Sequence, residues 1–303
     1  MSIPETTEPF SIGLTKRLYK SQITKRLIIH AKRLARHYGI EIKRYIAPTE
    51  EKFSNWMYYS NLLESAWRSN AAAAGNELDA RFVDYCIANH QRSKSQIFQD
   101  LLVLFLLGEK EGGFFVEFGA ANGISLSNSF LLERSFGWRG ILAEPARIWH
   151  KALAENRGCA IDRRCVWSRS GETLEFNETD NSELSTLNQY SMRDNHSKAR
   201  RLGHSYSVET VSLCDLLKDH GAPPVIDYLS VDTEGSEYEI LSNFDFSAYA
   251  VSLITVEHNY ASPDRENIAK LLTENGFERI FASYSLFDDW YVHASLLEDR
   301  AAT

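Results

Sequence analysis

The chain has 303 residues, of which 44% are hydrophobic and 12% aromatic, and it carries a formal net charge of -8. This length and composition suit one large α/β domain with a substantial core and a helical appendage. The longest apolar run, residues 101–107, is too short to cross a bilayer, and the four cysteines form no C-x-x-C pair that would indicate a structural zinc site.

The charge is distributed unevenly along the chain. Residues 1–46 carry ten Lys or Arg against three Glu, a balance of +7, so the remainder carries -15. A domain that acidic lacks the clustered cations that neutralise phosphates, so we expect no nucleic-acid partner for it. Within 14–38, apolar residues recur at helical spacing between basic ones, which predicts an amphipathic basic helix or helix pair. Such a helix can pack on protein, including a second copy of the chain, attach to an anionic membrane or contact nucleic acid.

Helical periodicity continues at 56–74 and 79–89 before the pattern changes. Ser93 and Gln96 have the spacing of a capping box, which predicts a helix over 96–107. We therefore divide the chain into a helical extension, 1–92, and a second domain, 93–303. Because no segment has the features of a signal peptide, we expect a cytoplasmic protein, with peripheral membrane contact through 1–46 as an option.

Beyond residue 107, strand and helix patterns alternate, which predicts a parallel sheet covered by helices on both faces. The end of the chain differs, since 277–283 and 288–294 are predicted to form an antiparallel hairpin. The polar stretch 177–207 is predicted to be a long functional loop. The other predicted strands are 114–118, 140–144, 159–167, 225–231 and 251–257, and the predicted helices are 127–136, 146–156, 211–219, 236–242 and 264–275.

The segment 114–123 predicts the start of a nucleotide-binding unit. A short apolar strand is followed by a turn of small residues and then by a helix, so that backbone N–H groups can approach a ligand. The next strand ends in Glu144, where a carboxylate can accept both ribose hydroxyls of an adenosine group. The turn departs from the dinucleotide fingerprint G-x-G-x-x-G. We predict an adenosine-bearing cofactor; an NAD-dependent oxidoreductase and a non-catalytic scaffold protein are the alternatives.

An ordered set of motifs resembles the FkbM-type methyltransferases, a family of S-adenosylmethionine-dependent O-methyltransferases. The matching segments are Ser95-Gln96 with Gln99-Asp100, 115–123, Ser127-Asn128, Leu132-Glu133 with 137–140, Ala143-Glu144-Pro145, 208–217 and 231–237. The resemblance implies a Rossmann-like methyltransferase fold, with a mostly parallel, doubly wound sheet and a C-terminal antiparallel hairpin. It implies S-adenosylmethionine as cofactor and a sugar hydroxyl as acceptor, on a glycan, a glycan precursor or a glycosylated metabolite. Residues 1–92 lie outside the resemblance.

The resemblance also assigns residues to the cofactor. Glu117 is expected to bind its α-amino group, directly or through water; a buried acid satisfied by the N–H groups of the turn is the alternative. Glu144 is expected to bind its ribose. Asn122 and Asn128, at a helix start, are expected to bind its carboxylate. Gln96 is expected to bind the same carboxylate or to cap its helix. The full set of predicted cofactor contacts is Gln96, Glu117, Gly119, Ala120, Asn122, Gly123, Asn128, Glu144 and Pro145.

Two acids and a histidine end neighbouring predicted strands. Asp232 follows one strand, and Glu257 and His258 end the next, so all three are expected at the ligand-binding edge of the sheet. His258 is our predicted general base, because imidazole titrates near neutral pH; a histidine that only holds the strand end is the alternative. Asp232 and Glu257 could instead bind Mg²⁺ as hard oxygen ligands. The acceptor and the oligomeric state, a homo-oligomer included, stay open.

Overall fold

The structure is a computed structural model that describes residues 77–179, 185–190, 203–260 and 262–301. The predicted basic helix of 14–38 and the predicted helix of 56–74 lie outside the described residues. None of the helices in the described part of the chain has the length and apolarity needed to cross a membrane.

The described residues form eight α-helices and eleven strands. The helices are α1 (Glu77–Asn89), α2 (Gln99–Leu106), α3 (Phe130–Phe136), α4 (His150–Asn156), α5 (Leu213–Asp219), α6 (Glu237–Ser242), α7 (Asp264–Glu274) and α8 (Ala294–Ala301). The strands are β1 (Phe114–Phe118), β2 (Arg139–Ala143), β3 (Ala160–Asp162), β4 (Cys165–Trp167), β5 (Thr173–Glu178), β6 (Thr186–Leu187), β7 (His204–Ser212), β8 (Val225–Val231), β9 (Ala250–Glu257), β10 (Phe277–Ile280) and β11 (Asp288–His293). Short 3₁₀ turns occur at Arg147–Trp149 and Asn188–Tyr190.

Seven strands form the main sheet, in the order β10-β11-β9-β8-β1-β2-β3. Every pair from β9 to β3 is parallel, whereas β11 runs antiparallel to both of its neighbours. Strands β1 and β8 are almost continuously apolar because both faces of a parallel sheet are covered. The topology confirms the predicted fold class: a mostly parallel, doubly wound sheet closed by a C-terminal hairpin.

A second, smaller sheet was missed at the sequence level. Its order is β4-β7-β5-β6, and it takes strands from the predicted strand 159–167 and from the predicted loop 177–207. The strand prediction is wrong in joining two elements: β3 pairs with β2, whereas β4 pairs with β7. The chain leaves the main sheet after Asp162, whose carboxylate accepts hydrogen bonds from the backbone N–H and guanidinium of Arg164. The loop prediction is wrong at both ends, where β5 and β7 pair.

The predicted capping box before α2 is also wrong. Helix α2 begins at Gln99, because Phe98 has a left-handed backbone conformation with φ of 67°. Ser93 instead donates to Asp100 Oδ1 at 2.6 Å, and the other carboxylate oxygen of Asp100 accepts from the N–H of Lys94. Gln96 therefore lies on a loop, not in the first helical turn.

Helix α1 lies within the segment that the sequence pattern assigned to the extension. Its Phe82 is fully buried, with ring centroids 4.4 Å from Phe281 in a stacked pair and 5.9 Å from Trp290. The compact unit formed by the described residues begins at Glu77. These aromatic contacts join α1 to the hairpin end of the main sheet.

Candidate active site

A cavity of about 340 Å³ lies at the carboxyl ends of the parallel strands, bounded by the turn after β1, the end of β2, the small sheet and the loop before α2. No Lys, Arg or His is among the described residues that line it. The predicted site residues that line it are Gln96, Gly119, Ala120, Asn128, Glu144, Pro145, Asp232 and Glu257. The predicted site residues outside its lining are Glu117, Asn122, Gly123 and His258.

Gly119 lies where the turn after β1 approaches the end of β8. Its φ is 72°, and a Cβ at this position would overlap the carbonyl oxygen of Asp232. Its N–H donates to the carbonyl of Ala143 at 3.1 Å. Only glycine fits here, because both the backbone conformation and the close approach exclude a side chain. Three strand ends are thereby drawn together at the floor of the cavity.

Glu117 lies beneath this turn and does not face the cavity. Its Oε1 accepts from the backbone N–H of Asn128 at 2.8 Å, and its Oε2 accepts from the hydroxyls of Ser127 and Ser129. The side chain is buried, and these donors occupy both of its oxygens. Glu117 thereby holds the chain between β1 and α3, and its predicted contact with the cofactor, directly or through water, stays a prediction.

Asn122 and Gly123 shape the same turn from the inside. The Asn122 Oδ1 accepts from the N–H groups of Ile124 and Ser125, at 2.8 and 2.9 Å, in an Asx turn. A Cβ at Gly123 would come within 2.7 Å of the Arg157 side chain. Both residues were predicted as ligand contacts. Both residues shape the turn from outside the cavity lining, and their contact with a ligand stays a prediction.

Amide side chains lie at the end of the cavity near β8 and β11. Asn128 donates through Nδ2 to Ser230 Oγ at 3.0 Å, and Gln96 lines the cavity from its loop. Gln99 donates to Asp288 Oδ2 at 2.8 Å, which ties the start of α2 to β11. These amide side chains therefore lie beside the carboxylate of Asp288.

Glu144 lies at the end of β2, as predicted. Its two oxygens accept from the N–H groups of Ala121 and Ala146, both at 2.8 Å. Burial, assisted by the charge of Glu178, raises the pKa of Glu144 to about 7 against these hydrogen bonds. Each oxygen keeps a further lone pair for a ligand hydroxyl. Apolar groups surround it in the cavity: Pro145, Trp149, Val166 and Phe176.

A cluster of carboxylates occupies the other end of the cavity. Oxygens of Asp232, Glu234 and Glu257 lie within 4.8 Å of one another, and Asp288 stands opposite Glu257 in the antiparallel pair. Burial, joined by the charges of Asp288 and Glu237, raises the pKa of Asp232 to about 7. Burial, followed by the charges of Asp232 and Glu234, raises the pKa of Glu257 well above its usual range.

The turn after β8 holds these acids through its backbone. Glu234 has a left-handed conformation, with φ of 59°, and its carbonyl accepts from Thr186 Oγ1 of the small sheet at 2.8 Å. The Glu237 carboxylate accepts from the N–H groups of Thr233 and Gly235, both at 3.0 Å. Of the acids in this motif, Asp232 and Glu234 therefore face the cavity, while Glu237 folds the turn.

Sequence reasoning missed Glu234 and Asp288. Glu234 lies in a turn, two residues after Asp232, and has a left-handed backbone conformation with φ of 59°. The periodicity of a strand or helix does not predict the direction of a side chain in such a turn. Asp288 reaches the cavity only because β11 inserts between β9 and β10. A hairpin prediction that fixed the register of β11 against β9 would have found it.

His258 is not among the described residues that line the cavity, and its role as general base stays a prediction. It follows the last residue of β9, and successive residues of an extended chain point to opposite faces, so Glu257 faces the cavity and His258 faces away. Its Nδ1 accepts from the N–H of Tyr260 at 2.9 Å, which assigns the ring proton to Nε2, 3.5 Å from Asp289 Oδ1. The ring holds the strand end.

A family model described as "Methyltransferase FkbM domain" matches residues 117–279, more than half of the chain. The chain belongs to the FkbM methyltransferase family. It is therefore a methyltransferase, and this membership implies S-adenosylmethionine as the methyl donor. The FkbM match includes the turn after β1, Glu144 and the acids of β8 and β9. The Gln96 loop and Asp288 lie outside it.

Three solved structures are similar to this chain at low identity. A putative RNA methyltransferase from Pyrococcus horikoshii is 13% identical, with 66% of this chain and 82% of that chain covered and a TM-score of 0.28. The METTL16 MTase domain is 10% identical, with 86% and 90% covered and a TM-score of 0.36. A human methyltransferase 10 domain containing protein is 9% identical, with 94% and 97% covered and a TM-score of 0.33. No curated protein matches the chain.

Proposed function

We propose that this FkbM methyltransferase transfers a methyl group from S-adenosylmethionine to a hydroxyl oxygen of a sugar, on a glycan, a glycan precursor or a glycosylated metabolite. The observation that carries the proposal is the carboxylate cluster at the end of the cavity away from Glu144. A sugar presents several hydroxyl donors, which carboxylates accept, and O-methylation requires that one of these hydroxyls lose its proton.

The side chains that line the cavity match the chemical groups of S-adenosylmethionine. Glu144 would accept the two ribose hydroxyls, Pro145 and Trp149 would cover the adenine, and Asn128 and Gln96 would bind the amino-acid end. When bound, S-adenosylmethionine supplies an electrophilic methyl group on a positively charged sulfur. The absence of basic side chains from the described lining favours such a cation.

Asp232 and Glu257 would act together on the acceptor. Their raised pKa values and mutual proximity make it favourable for the pair to share one proton near neutral pH. The oxygen left unprotonated accepts the proton of the acceptor hydroxyl. Alignment of the hydroxyl by the same carboxylates would supply much of the rate enhancement.

A divalent cation is the second candidate for activating the hydroxyl. Asp232, Glu234 and Glu257 would hold Mg²⁺ through hard carboxylate oxygens, and the ion would lower the pKa of a bound hydroxyl. Chelation with EDTA distinguishes the two candidates. Loss of transfer that Mg²⁺ restores supports the metal, and unchanged transfer supports the carboxylate pair alone.

Calorimetric titration of S-adenosylhomocysteine tests the cofactor assignment. We expect micromolar-range binding, weakened about 30-fold by Glu144→Ala because two charge-assisted hydrogen bonds are lost. Glu155→Ala, an exposed acid on α4, is the matched control and leaves the affinity unchanged. Equal affinity in Glu144→Ala contradicts the ribose assignment, and binding of NAD in place of S-adenosylhomocysteine contradicts the proposed cofactor.

Methyl transfer is then measured with radiolabelled S-adenosylmethionine and a panel of glycans and glycosylated small molecules. Incorporation into a sugar hydroxyl supports the proposal. Intact cofactor binding with no transfer to any of these acceptors favours the non-catalytic scaffold alternative.

We also propose that the basic segment 1–46 docks the enzyme on an anionic membrane surface, on the charge pattern of the sequence alone. Co-sedimentation with anionic vesicles is expected to be lost when 1–46 is deleted. Equal binding of the deleted and full-length chains contradicts the docking proposal.

A further inference from the structure

Arg157, directly after α4, is a buried cation that no sequence motif singles out. Its side chain is fully buried and does not line the cavity. The guanidinium lies near two aromatic rings, 5.4 Å from the ring centroid of Phe115 and 5.8 Å from that of Phe130. A buried arginine is stable only if its donors are satisfied and its charge is balanced, so the groups around it define what it does.

Those groups come from the back of the turn between β1 and α3. Arg157 donates to Glu133 Oε2 at 2.6 Å and to the Gly123 carbonyl at 3.2 Å. It also donates to the hydroxyls of Ser127 and Ser129, at 3.1 and 2.8 Å. Four points of one turn and the following helix are thus fixed by a single planar group, which lysine cannot reproduce.

The same serines connect Arg157 to the acid of β1. Ser127 and Ser129 both donate to Glu117 Oε2, and Arg157 Nη1 lies 3.8 Å from that oxygen. Gly123 lacks a side chain where the Arg157 side chain passes, since a Cβ there would meet the arginine Cγ at 2.7 Å. Gly123 therefore leaves space for the Arg157 side chain, and Glu117 balances its charge.

We propose that Arg157 is a positioning residue for the amino-acid half of the cofactor, acting through the turn 123–129. The inference rests on the proposed function and deepens its cofactor site. The front of this turn lines the cavity through Ser125, Leu126, Ser127 and Asn128, while Arg157 holds its back. Arg157 touches no ligand itself, because its side chain has no exposure to the cavity.

The adenosine half is held by other contacts. Glu144 lies on β2, and the 3₁₀ turn that follows it is fixed by Tyr206, whose hydroxyl accepts from the N–H of Arg147 at 3.0 Å. Tyr206 in turn donates to Glu178 Oε2 at 2.7 Å. None of these groups bonds Arg157, so weakening Arg157 is expected to affect one half of the ligand and spare the other.

The test compares two ligands by calorimetry on the full chain. S-adenosylhomocysteine carries the amino-acid half, and 5′-methylthioadenosine lacks it. Arg157→Lys keeps the positive charge but loses the planar guanidinium that donates to several partners at once. We expect about 10-fold weaker binding of S-adenosylhomocysteine and less than about 2-fold change in the binding of 5′-methylthioadenosine. Arg164→Lys is the matched control, because Arg164 also donates two guanidinium hydrogen bonds to a carboxylate, that of Asp162, outside the cavity lining. This variant is expected to leave the ratio of the two affinities unchanged.

Ser129→Ala is the second variant, for use if Arg157→Lys fails to fold. Ser129 is fully buried, does not line the cavity and accepts directly from Arg157. It is expected to shift the affinity ratio in the same direction by about 3-fold. Equal weakening of both ligands, or no weakening of either, overturns the positioning role while the cofactor assignment stands. Failure of the wild-type chain to bind S-adenosylhomocysteine overturns the proposed function, and this inference with it.

Discussion

The two turns that line the cavity follow neighbouring parallel strands yet have opposite electrostatic settings. Behind the turn after β1, burial opposes ionisation of Glu133, but Arg157 overcomes this and lowers the pKa of Glu133. In the turn after β8, burial and the charges of Asp288 and Glu237 raise the pKa of Asp232 to about 7, and no basic side chain lies among the described lining residues. A balanced turn is rigid and suits binding. The turn after β8, whose carboxylates have no basic partner among the described lining residues, keeps groups that can exchange protons near neutral pH. The strand topology alone does not distinguish these two turns.

The largest effect is expected from Asp232→Asn. Methyl transfer should fall about 10²- to 10⁴-fold, because a positioned proton acceptor is lost, while S-adenosylhomocysteine affinity changes little. Rates and calorimetry on the same preparation measure both. Asp227→Asn, on β8 itself, serves as control, because it removes only the negative charge that pairs with Lys110 at 2.6 Å outside the cavity lining. Retained methyl transfer in Asp232→Asn would contradict the proton-accepting role proposed for the turn after β8.

The balanced turn is broken by Arg157→Met. Removing the cation leaves the buried Glu117 and the half-buried Glu133 without their counter-charge, which is expected to cost about 3 kcal/mol in the free energy of unfolding. Urea denaturation followed by circular dichroism measures it. Adding Glu133→Gln to this variant should recover part of the loss, since one uncompensated charge is removed. A loss below about 1 kcal/mol would mean that the turn does not depend on charge balance.

The pH dependence of cofactor binding sharpens the comparison. Glu144 has a folded pKa raised to about 7, so its carboxylate becomes protonated as the pH falls below 7. Under the proposed function the ionised form would accept both ribose hydroxyls, so S-adenosylhomocysteine affinity should fall by up to about 10-fold per pH unit below 7. Calorimetry at pH 5.5–8.5 checks this, and Glu144→Gln should flatten the profile. An unchanged slope in that variant would assign the dependence to another group.

The same shift has a consequence for stability. Because the folded pKa of Glu144 lies above the unfolded value, the folded state binds more protons between about pH 4.5 and 7. The free energy of unfolding should therefore fall as the pH rises through that window, and Asp232 contributes in the same direction. Glu144→Gln should reduce this decline in denaturation curves recorded across the window.

The smallest effect is expected from Thr186→Val. Losing the hydroxyl that donates to the Glu234 carbonyl should cost about 1 kcal/mol and reduce transfer several-fold, because Glu234 holds a left-handed conformation. Thr210→Val is the matched control, a buried threonine of the small sheet that donates to the Arg169 carbonyl at 2.7 Å. Equal losses of transfer in both variants would show that Thr186 acts on stability alone.

The fold and the cofactor end of the site were largely predictable, because alternating apolar strands, a glycine turn and a terminal hairpin have local signatures. Glu144 and Asp232 were found because they end strands of a parallel sheet. His258 lies outside the cavity lining, unlike Glu257, because a one-residue step reverses the side-chain direction at the end of β9. Arg157 has no local signal at all: its partners lie 24–34 residues away along the chain. The small sheet was missed because β4 and β6 have only three and two residues, and because most residues of the longer β5 and β7 are polar.

The acidic lining has a consequence for the catalytic cycle under the proposed function. Transfer converts a cationic sulfonium into a neutral thioether, while the acceptor's proton passes to a carboxylate of the Asp232 and Glu257 pair. The cofactor loses one positive charge and the pair loses one negative charge, so the sum inside the cavity does not change. The spent cofactor, however, no longer attracts the remaining carboxylates. The acidic lining would therefore attract the methyl donor more strongly than its neutral product, which favours release of the product.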